Sequence, residues 1–123
     1  MPWTLVYDEA LGIIELSLVG AVSGADLREA TQQGFAMSGA LEAVRCIVDA
    51  TEQQETGTIL DLYQLPALYE EVGLDRTARI ALLPPTRAEL HELAAFYETL
   101  CVNRGWSVKV FPTRENAIEW LKA

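Results

Sequence analysis

Val44-Arg45-Cys46-Ile47-Val48-Asp49 decides the fold. Its apolar run is too short for a helix and is closed by an acid, the pattern of a strand covered on both faces near the centre of a parallel sheet. On its N-terminal side, Ser23-x-x-Asp26 is a capping-box variant that opens a helix. That helix carries Leu27, Ala30, Gly34 and Met37 on or near one face, and Gly39 is its expected end. Further out, Trp3 to Tyr7 and Ile13 to Leu18 flank the turn chemistry Asp8-Glu9-Ala10-Leu11-Gly12 and read as an antiparallel hairpin.

On the C-terminal side, a helical pattern from Thr56 to Val72 is interrupted by Pro66, which removes a backbone donor and clashes with the preceding turn. Two short helices, or one sharply kinked, are expected. Thr77 to Leu83 forms a further strand stopped by Pro84-Pro85, and Thr86-x-x-Glu89 is a full capping box. It predicts a helix bearing Leu90, Leu93, Ala94, Tyr97, Leu100 and Cys101 up to Asn103-Arg104-Gly105. Val108 and Val110 mark the last strand, and Thr113 caps a last helix with Ala117, Ile118, Trp120 and Leu121 inward. The order β-β-α-β-α-β-α-β-α describes an α/β fold: a single-layer, mostly parallel five-stranded sheet with an N-terminal antiparallel hairpin. At 123 residues it is expected to be a single domain over 1–123.

Eighteen Asp and Glu against nine Lys and Arg leave a net charge of −9, which repels phosphate backbones and anionic membrane surfaces. No apolar run approaches the roughly 18 to 20 residues of a membrane span, so a soluble, cytoplasmic protein that binds no nucleic acid is expected. Two cysteines without a Cys-x-x-Cys pair and one histidine supply no zinc or iron-sulfur ligand set. Cys46 and Cys101 read as small buried hydrophobes. No metal or cofactor is expected.

In parallel sheets, sites gather beyond the carboxyl ends of the strands, here Asp49 to Gly57, Leu83 to Thr86 and Phe111 to Arg114. Asp49, Glu52 and Glu55 put three carboxylates in the first of these. Their spacing lacks the glycine and alternating oxygen ligands of a calcium loop, and a solvated acidic loop is the plainer reading. His91 reads as a helix-surface residue, and neither Gly-x-Ser-x-Gly nor a phosphate-binding glycine motif is present. Arg114, near a helix start, is either an anion contact or an ordinary solvated arginine. From Ile59 to Val72 the chain carries more large apolar side chains than one buried stripe needs. The excess fills the core, faces a partner, or covers an apolar pocket.

The order of elements, with Asp49-Ala50-Thr51 after the central strand leading to Glu55-Thr56-Gly57 at a helix start, resembles the anti-sigma-factor antagonist or STAS domain. The tail from Asn103-Arg104-Gly105-Trp106 through Val108-Lys109-Val110-Phe111 to Glu119-Trp120-Leu121 looks like the end of bacterial SpoIIAA-like proteins. Asp61-Leu62-Tyr63-Gln64-Leu65-Pro66 with Tyr69-Glu70-Glu71 is similar to a subgroup of them without an assigned function. In antagonist STAS domains the corresponding loop ends in Asp-Ser-Ser-Gly, and a serine there is phosphorylated by a partner kinase. Here Gly57 matches, while Glu55 and Thr56 replace the serines. The resemblance implies that Glu55 holds a permanent charge of about −1 where the family switches a phosphate of roughly −1.5 to −2. Thr56 reads as an N-cap, with a regulated phosphosite as the alternative.

Together these readings predict a non-enzymatic regulatory or protein-binding module acting through loop 49–57 and the kinked helix pair 57–72. Its candidate contact residues are Asp49, Thr51, Glu55, Thr56, Gly57, Leu60, Tyr63, Tyr69 and Arg114. The expected partner is a protein, with a homodimer as one form. The alternative is a carrier of a small hydrophobic ligand or lipid in a pocket covered by 59–72. A small hydrolase or isomerase comes third and requires Asp49 and Glu55 to converge.

Overall fold

The structure, a computed structural model, describes residues 2–123. Five strands form one sheet in the sequential order β1-β2-β3-β4-β5. β1 (Trp3–Asp8) pairs antiparallel with β2 (Ile13–Ala21), and β3 (Arg45–Glu55), β4 (Arg79–Leu83) and β5 (Ser107–Val110) follow in parallel. The expected fold class is therefore observed. The hairpin closes where Gly12, at φ +68°, donates its N–H to Asp8 O at 2.8 Å, a left-handed conformation that glycine adopts without strain.

The sequential order places the helices. Each parallel crossover is right-handed and steps the same way across the sheet, so the three connecting helices fall on one face. These are α1 (Gly24–Leu41), α2 (Ile59–Val72) and α3 (His91–Asn103). Leu27, Ala30, Leu62, Leu65, Tyr69, Ala94, Tyr97 and Cys101 from them meet Leu18, Ala50, Leu82 and Val108 of the sheet. The last helix, α4 (Arg114–Lys122), follows the edge strand β5 and lies on the opposite face, where Ala117 and Leu121 bury Ile47, Ala81 and Leu83. β3 has a partner on each edge, as the apolar run around Cys46 requires.

Four local expectations are corrected. First, Asp49 to Glu55 is strand, since β3 continues alongside β2, with Ser17 opposite Asp49 and Ala21 opposite Glu55. Two register irregularities, the second beside Gly20 at φ +75°, bend this stretch and keep it paired. Second, Pro66 lies inside one continuous helix, so the expected helix pair is a single α2. Its ring is fully buried, and the apolar packing of Leu62, Leu65 and Tyr69 around it holds the helix across the one missing backbone bond. Third, the N-cap of α2 is Thr58, which forms a reciprocal capping box with Asp61, and Thr56 lies outside it. Fourth, Thr86-x-x-Glu89 caps nothing. A 3₁₀ turn, Ala88–Leu90, precedes α3, while Glu89 pairs with Arg87 at 3.2 Å.

The fourth correction follows from the first. β4 stops at Leu83 while β3 runs on, leaving β3 carbonyls without a strand partner on that side. Thr86 N and Oγ1 donate to Thr51 O at 3.2 and 3.1 Å, and Arg87 Nη1 donates to Gln54 O at 3.0 Å. The segment is thus tied to the strand and unavailable as a cap. At the other helix, Ser23 and Asp26 form the expected capping box, and α1 runs past Gly39 to end at Leu41 with Glu42 in the left-handed region.

The two threonines should separate in a stability measurement. Thr58→Ala removes a true N-cap and is expected to cost about 1 kcal/mol. Thr86→Ala removes one exposed hydrogen bond and should cost about half as much, since its backbone N–H still reaches Thr51 O. Urea unfolding midpoints of the two variants check the order.

Candidate functional site

The nine residues proposed from sequence fall into two groups on different sides of the sheet. Side chains alternate along β3, so Asp49 shares the α4 face with Ile47, and Ala50 faces α1, α2 and α3. Asp49 Oδ1 accepts from Thr51 N at 3.0 Å and from Thr51 Oγ1 at 2.6 Å. Arg114 lies on the same side and is held by the two carboxylate oxygens of Glu15, with Nη2 at 2.7 Å from Oε2. The pair raises the guanidinium pKa further, so this arginine is a permanently charged partner of Glu15. Its expected anion contact is met within the chain. Asp49 and Glu55 lie opposite Ser17 and Ala21, four positions of β2 apart or about 13 Å, and do not converge. The acid-base pairing required of a small hydrolase is not formed.

The second group surrounds the start of α2. Glu55 closes β3, and its carbonyl accepts from Val22 N at 3.0 Å, which brings the start of α1 beside the start of α2. Asp61 sits between them. Its Oδ2 accepts from Thr58 N at 2.8 Å and Thr58 Oγ1 at 3.0 Å, which completes the α2 cap. A Cβ on Gly24 would fall 2.3 Å from the Asp61 carboxyl carbon, and one on Gly57 would fall 2.6 Å from Oδ2. Both glycines are therefore required by one carboxylate wedged between two helix N-termini, where backbone N–H groups favour negative charge. Sequence reasoning assigned Gly57 to a binding loop and passed over Asp61 and Thr58. Thr58-x-x-Asp61 repeats the spacing of Ser23-x-x-Asp26, and that signal was available.

From this anchored start α2 shows two faces. Ile59, Leu60 and Tyr63 are 60%, 63% and 51% exposed. Part of the expected apolar excess thus lies on the surface, with the Arg104 guanidinium 6.0 Å from the Tyr63 ring centre. Tyr69, expected among the contact residues, points the other way and is 7% exposed. Its hydroxyl bonds to that of Tyr97, and its ring meets Trp106 edge-on at 5.8 Å. Burial pushes both phenol pKa values upward, so both stay protonated. Beneath α2 lies a cavity of about 90 Å³, bounded by the sheet and by residues of α1, α2 and α3, with Thr56, Gln53, Tyr69 and Tyr97 in its wall.

Cys101 is fully buried, as expected, while Cys46 is half-buried beside Ile14 and Ile80, its sheet neighbours. Burial pushes both thiols up to about 12, and Glu15 adds to the rise at Cys46. Among the described residues no group of three or more His, Cys, Asp or Glu is placed to hold a metal ion.

Two outcomes follow. Gly24→Ala should destabilise the fold although alanine is the better helix former, and Asp61→Ala in the same chain should recover most of the loss; thermal unfolding of the cycle measures the coupling. With thiol pKa values raised above an unfolded value of about 8.5, the cysteines' contribution to stability is complete below that pH. It should decline as pH rises toward about 12. Urea unfolding at pH 7 and pH 10 checks the sign, and iodoacetamide at pH 8 should leave Cys101 unmodified.

No family model matches the chain, and no curated protein does. Solved structures do. An anti-sigma factor antagonist from Mycobacterium paratuberculosis superposes with a TM-score of 0.63 at 17% identity, covering 98% of this chain and 95% of that one. A protein of the DUF3478 family from Shewanella loihica with a SpoIIAA-like fold gives 0.59 at 18% identity, covering 97% and 91%. The anti-sigma factor antagonist SpoIIAA in its unphosphorylated form gives 0.57 at 13% identity, covering 98% of each chain. The antiparallel hairpin, the parallel strands and the four helices in this order are therefore those of the SpoIIAA-like fold.

Proposed function

We propose that this protein is a non-enzymatic regulatory module that binds a protein partner through the first turns of α2 and the segment 55–58. The observation that carries the reading is the exposure of Ile59, Leu60 and Tyr63, three large apolar side chains within five consecutive positions. They are held outward while Leu62 and Leu65 fill the core, and a rigid start anchored by Thr58 and Asp61 presents them. Aromatic and aliphatic anchors of this kind form the centre of protein interfaces, and water at such a cluster is released when a partner seats on it. Structural neighbours that are anti-sigma factor antagonists support a protein as the occupant.

The charge around the patch narrows the partner. Glu55 and Asp61 stand beside it, and Arg104 at its Tyr63 end is paired with Glu70, in a chain of net charge −9, so a partner with an apolar centre and a mostly basic rim is favoured over an acidic one. Glu55 supplies this charge permanently, at the place where the resemblance puts a phosphorylated serine. Binding here is then independent of a kinase, and Thr56, half-buried in the cavity wall, is a poor substrate for one.

A second reading, a carrier of a small hydrophobic ligand, is favoured by the cavity under the same helix. In that case α2 serves as its cover through Leu62, Leu65 and Tyr69.

Leu60→Glu and Tyr63→Glu test the first reading, because both side chains are outside the core. Each should leave circular dichroism and the melting temperature nearly unchanged while weakening partner binding at least tenfold. Sedimentation of the unaltered chain and both variants shows whether that partner is a second copy. If both variants bind and assemble as the unaltered chain does, the patch is not the interface. Tyr69→Glu should unfold the protein, since it places a carboxylate in the core.

A further inference from the structure

β1 is one border of the sheet, and its outer side is unpaired. Opposite residues of an antiparallel pair alternate between exchanging backbone hydrogen bonds and making none. Val19 N donates to Pro2 O at 2.9 Å, and Trp3 stands opposite Leu18. Pro2, Thr4, Val6 and Asp8 therefore bond to β2, while Trp3, Leu5 and Tyr7 turn their N–H and C=O groups outward. Among the described residues no backbone group outside β2 bonds to these three. The other border is guarded: β5 has four residues, and the Glu98 carboxylate on α3 accepts the Val110 N–H at 2.6 Å. Within its six residues β1 has no lysine, proline or bulge, the devices that block an exposed strand edge.

The helix above this border has the same character. A Cβ on Gly34 would lie 4.0 Å from Leu5 Cδ2, which sets the second half of α1 over β1. Arg28 and Gln32 face α2, where Arg28 donates to Gln64 Oε1 at 3.1 Å and both residues line the groove between the two helices. At about 100° per residue, Gln33, Met37 and Ala40 fall on the other flank, the one beyond β1. No residue from Gln32 to Leu41 is charged, and none from Pro2 to Tyr7. A second copy of a chain of net charge −9 is repelled wherever acidic surfaces meet, and this strand edge and helix flank are neutral.

We propose that two copies of this chain pair antiparallel through β1, about a two-fold axis at Leu5, and join their sheets into one. The register is self-complementary. Leu5 meets Leu5 of the second copy and Trp3 meets its Tyr7, so every outward N–H and C=O finds a partner. Thr4 meets Val6 on the face away from α1, and aromatic and β-branched pairs of this kind favour strand pairing. The axis stands perpendicular to the sheet, which brings the two neutral α1 flanks onto the same side, and each contact occurs twice. An extended peptide from another protein would use the strand edge alone. The interface lies apart from the α2 patch and does not depend on it.

Thr4 and Val6 are exposed, and two double variants at these positions test the register by sedimentation. Thr4→Lys with Val6→Lys sets like charges opposite each other twice in the dimer, while within one chain position 6 faces Glu15. Circular dichroism should be unchanged and dimerisation about tenfold weaker. Thr4→Glu with Val6→Lys sets opposite charges across the same pairs and should dimerise at least as tightly as the unaltered chain, a rescue that a parallel pairing does not give. Amide hydrogen exchange reads the unaltered chain directly, should a variant fail to fold. Protection of the Leu5 and Tyr7 N–H groups should rise with protein concentration, while Thr4 and Val6, bonded to β2, stay protected throughout. A chain that remains monomeric at millimolar concentration leaves the edge to an extended segment of another protein and overturns the proposal. So does a dimer in which the Leu5 and Tyr7 amides exchange freely, or one that the double lysine variant leaves intact. A dimer lost in Leu60→Glu assigns assembly to the α2 patch, which overturns this pairing and leaves the reading of that patch standing.

Discussion

The unequal length of two neighbouring parallel strands organises the molecule. β3 runs to Glu55 along β2, whereas β4 ends opposite Asp49, so the second half of β3, from Ala50 to Glu55, is paired on one side only. Backbone carbonyls left this way must find donors, because unpaired peptide groups near a core are costly. Thr51 O takes Thr86 and Gln54 O takes Arg87. Those bonds draw the segment after β4 across the sheet end and postpone the start of α3 to His91. The same overhang carries Gln53 inward and Glu55 to the point where both α1 and α2 begin.

What the overhang positions, α2 uses twice. A helix that buries Leu62, Leu65 and Tyr69 has its opposite face free, and this one fills the exposed part of its first turns with Ile59, Leu60 and Tyr63. The start cannot drift, since Asp61 is held by Thr58 and fits only because Gly24 and Gly57 lack side chains. The end cannot drift either, with Gly73 in the left-handed region closing the last turn. A helix fixed at both ends is a sound platform for a surface patch, and its inner face inevitably forms the roof of whatever space the core leaves. Patch and cavity are therefore two sides of one element.

The opposite side of the sheet has a different character. One helix covers its centre, and Arg114 at the head of that helix is fastened to Glu15 of β2. This ion pair is only partly shielded from solvent, so its worth in stability is small. Its effect is on orientation: it fixes the head of α4 over the strands while Arg79 holds the tail through Trp120 O and Ala123 O. The arginine that sequence reasoning offered to an anion is thus committed to holding a helix.

Periodicity and local chemistry were enough to read the element order, the central place of the strand through Cys46 and Ile47, the caps at Ser23 and Thr113, and an apolar surplus after Ile59. These signals are carried by residues within a few positions of one another. The polar run Thr51-Glu52-Gln53-Gln54 carried no such signal and read as loop, because its strand conformation is imposed by β2 from across the sheet. Thr86-x-x-Glu89 had the right spacing for a cap and was claimed instead by a carbonyl far away in the chain. Tyr69 and Tyr63 are chemically alike and lie six positions apart on one helix, and only the packing of α2 against α3 decided that the first is core and the second surface. Local propensity chose the elements, and competition for hydrogen-bond partners and buried volume, which depends on residues distant in sequence, chose which of them form the site.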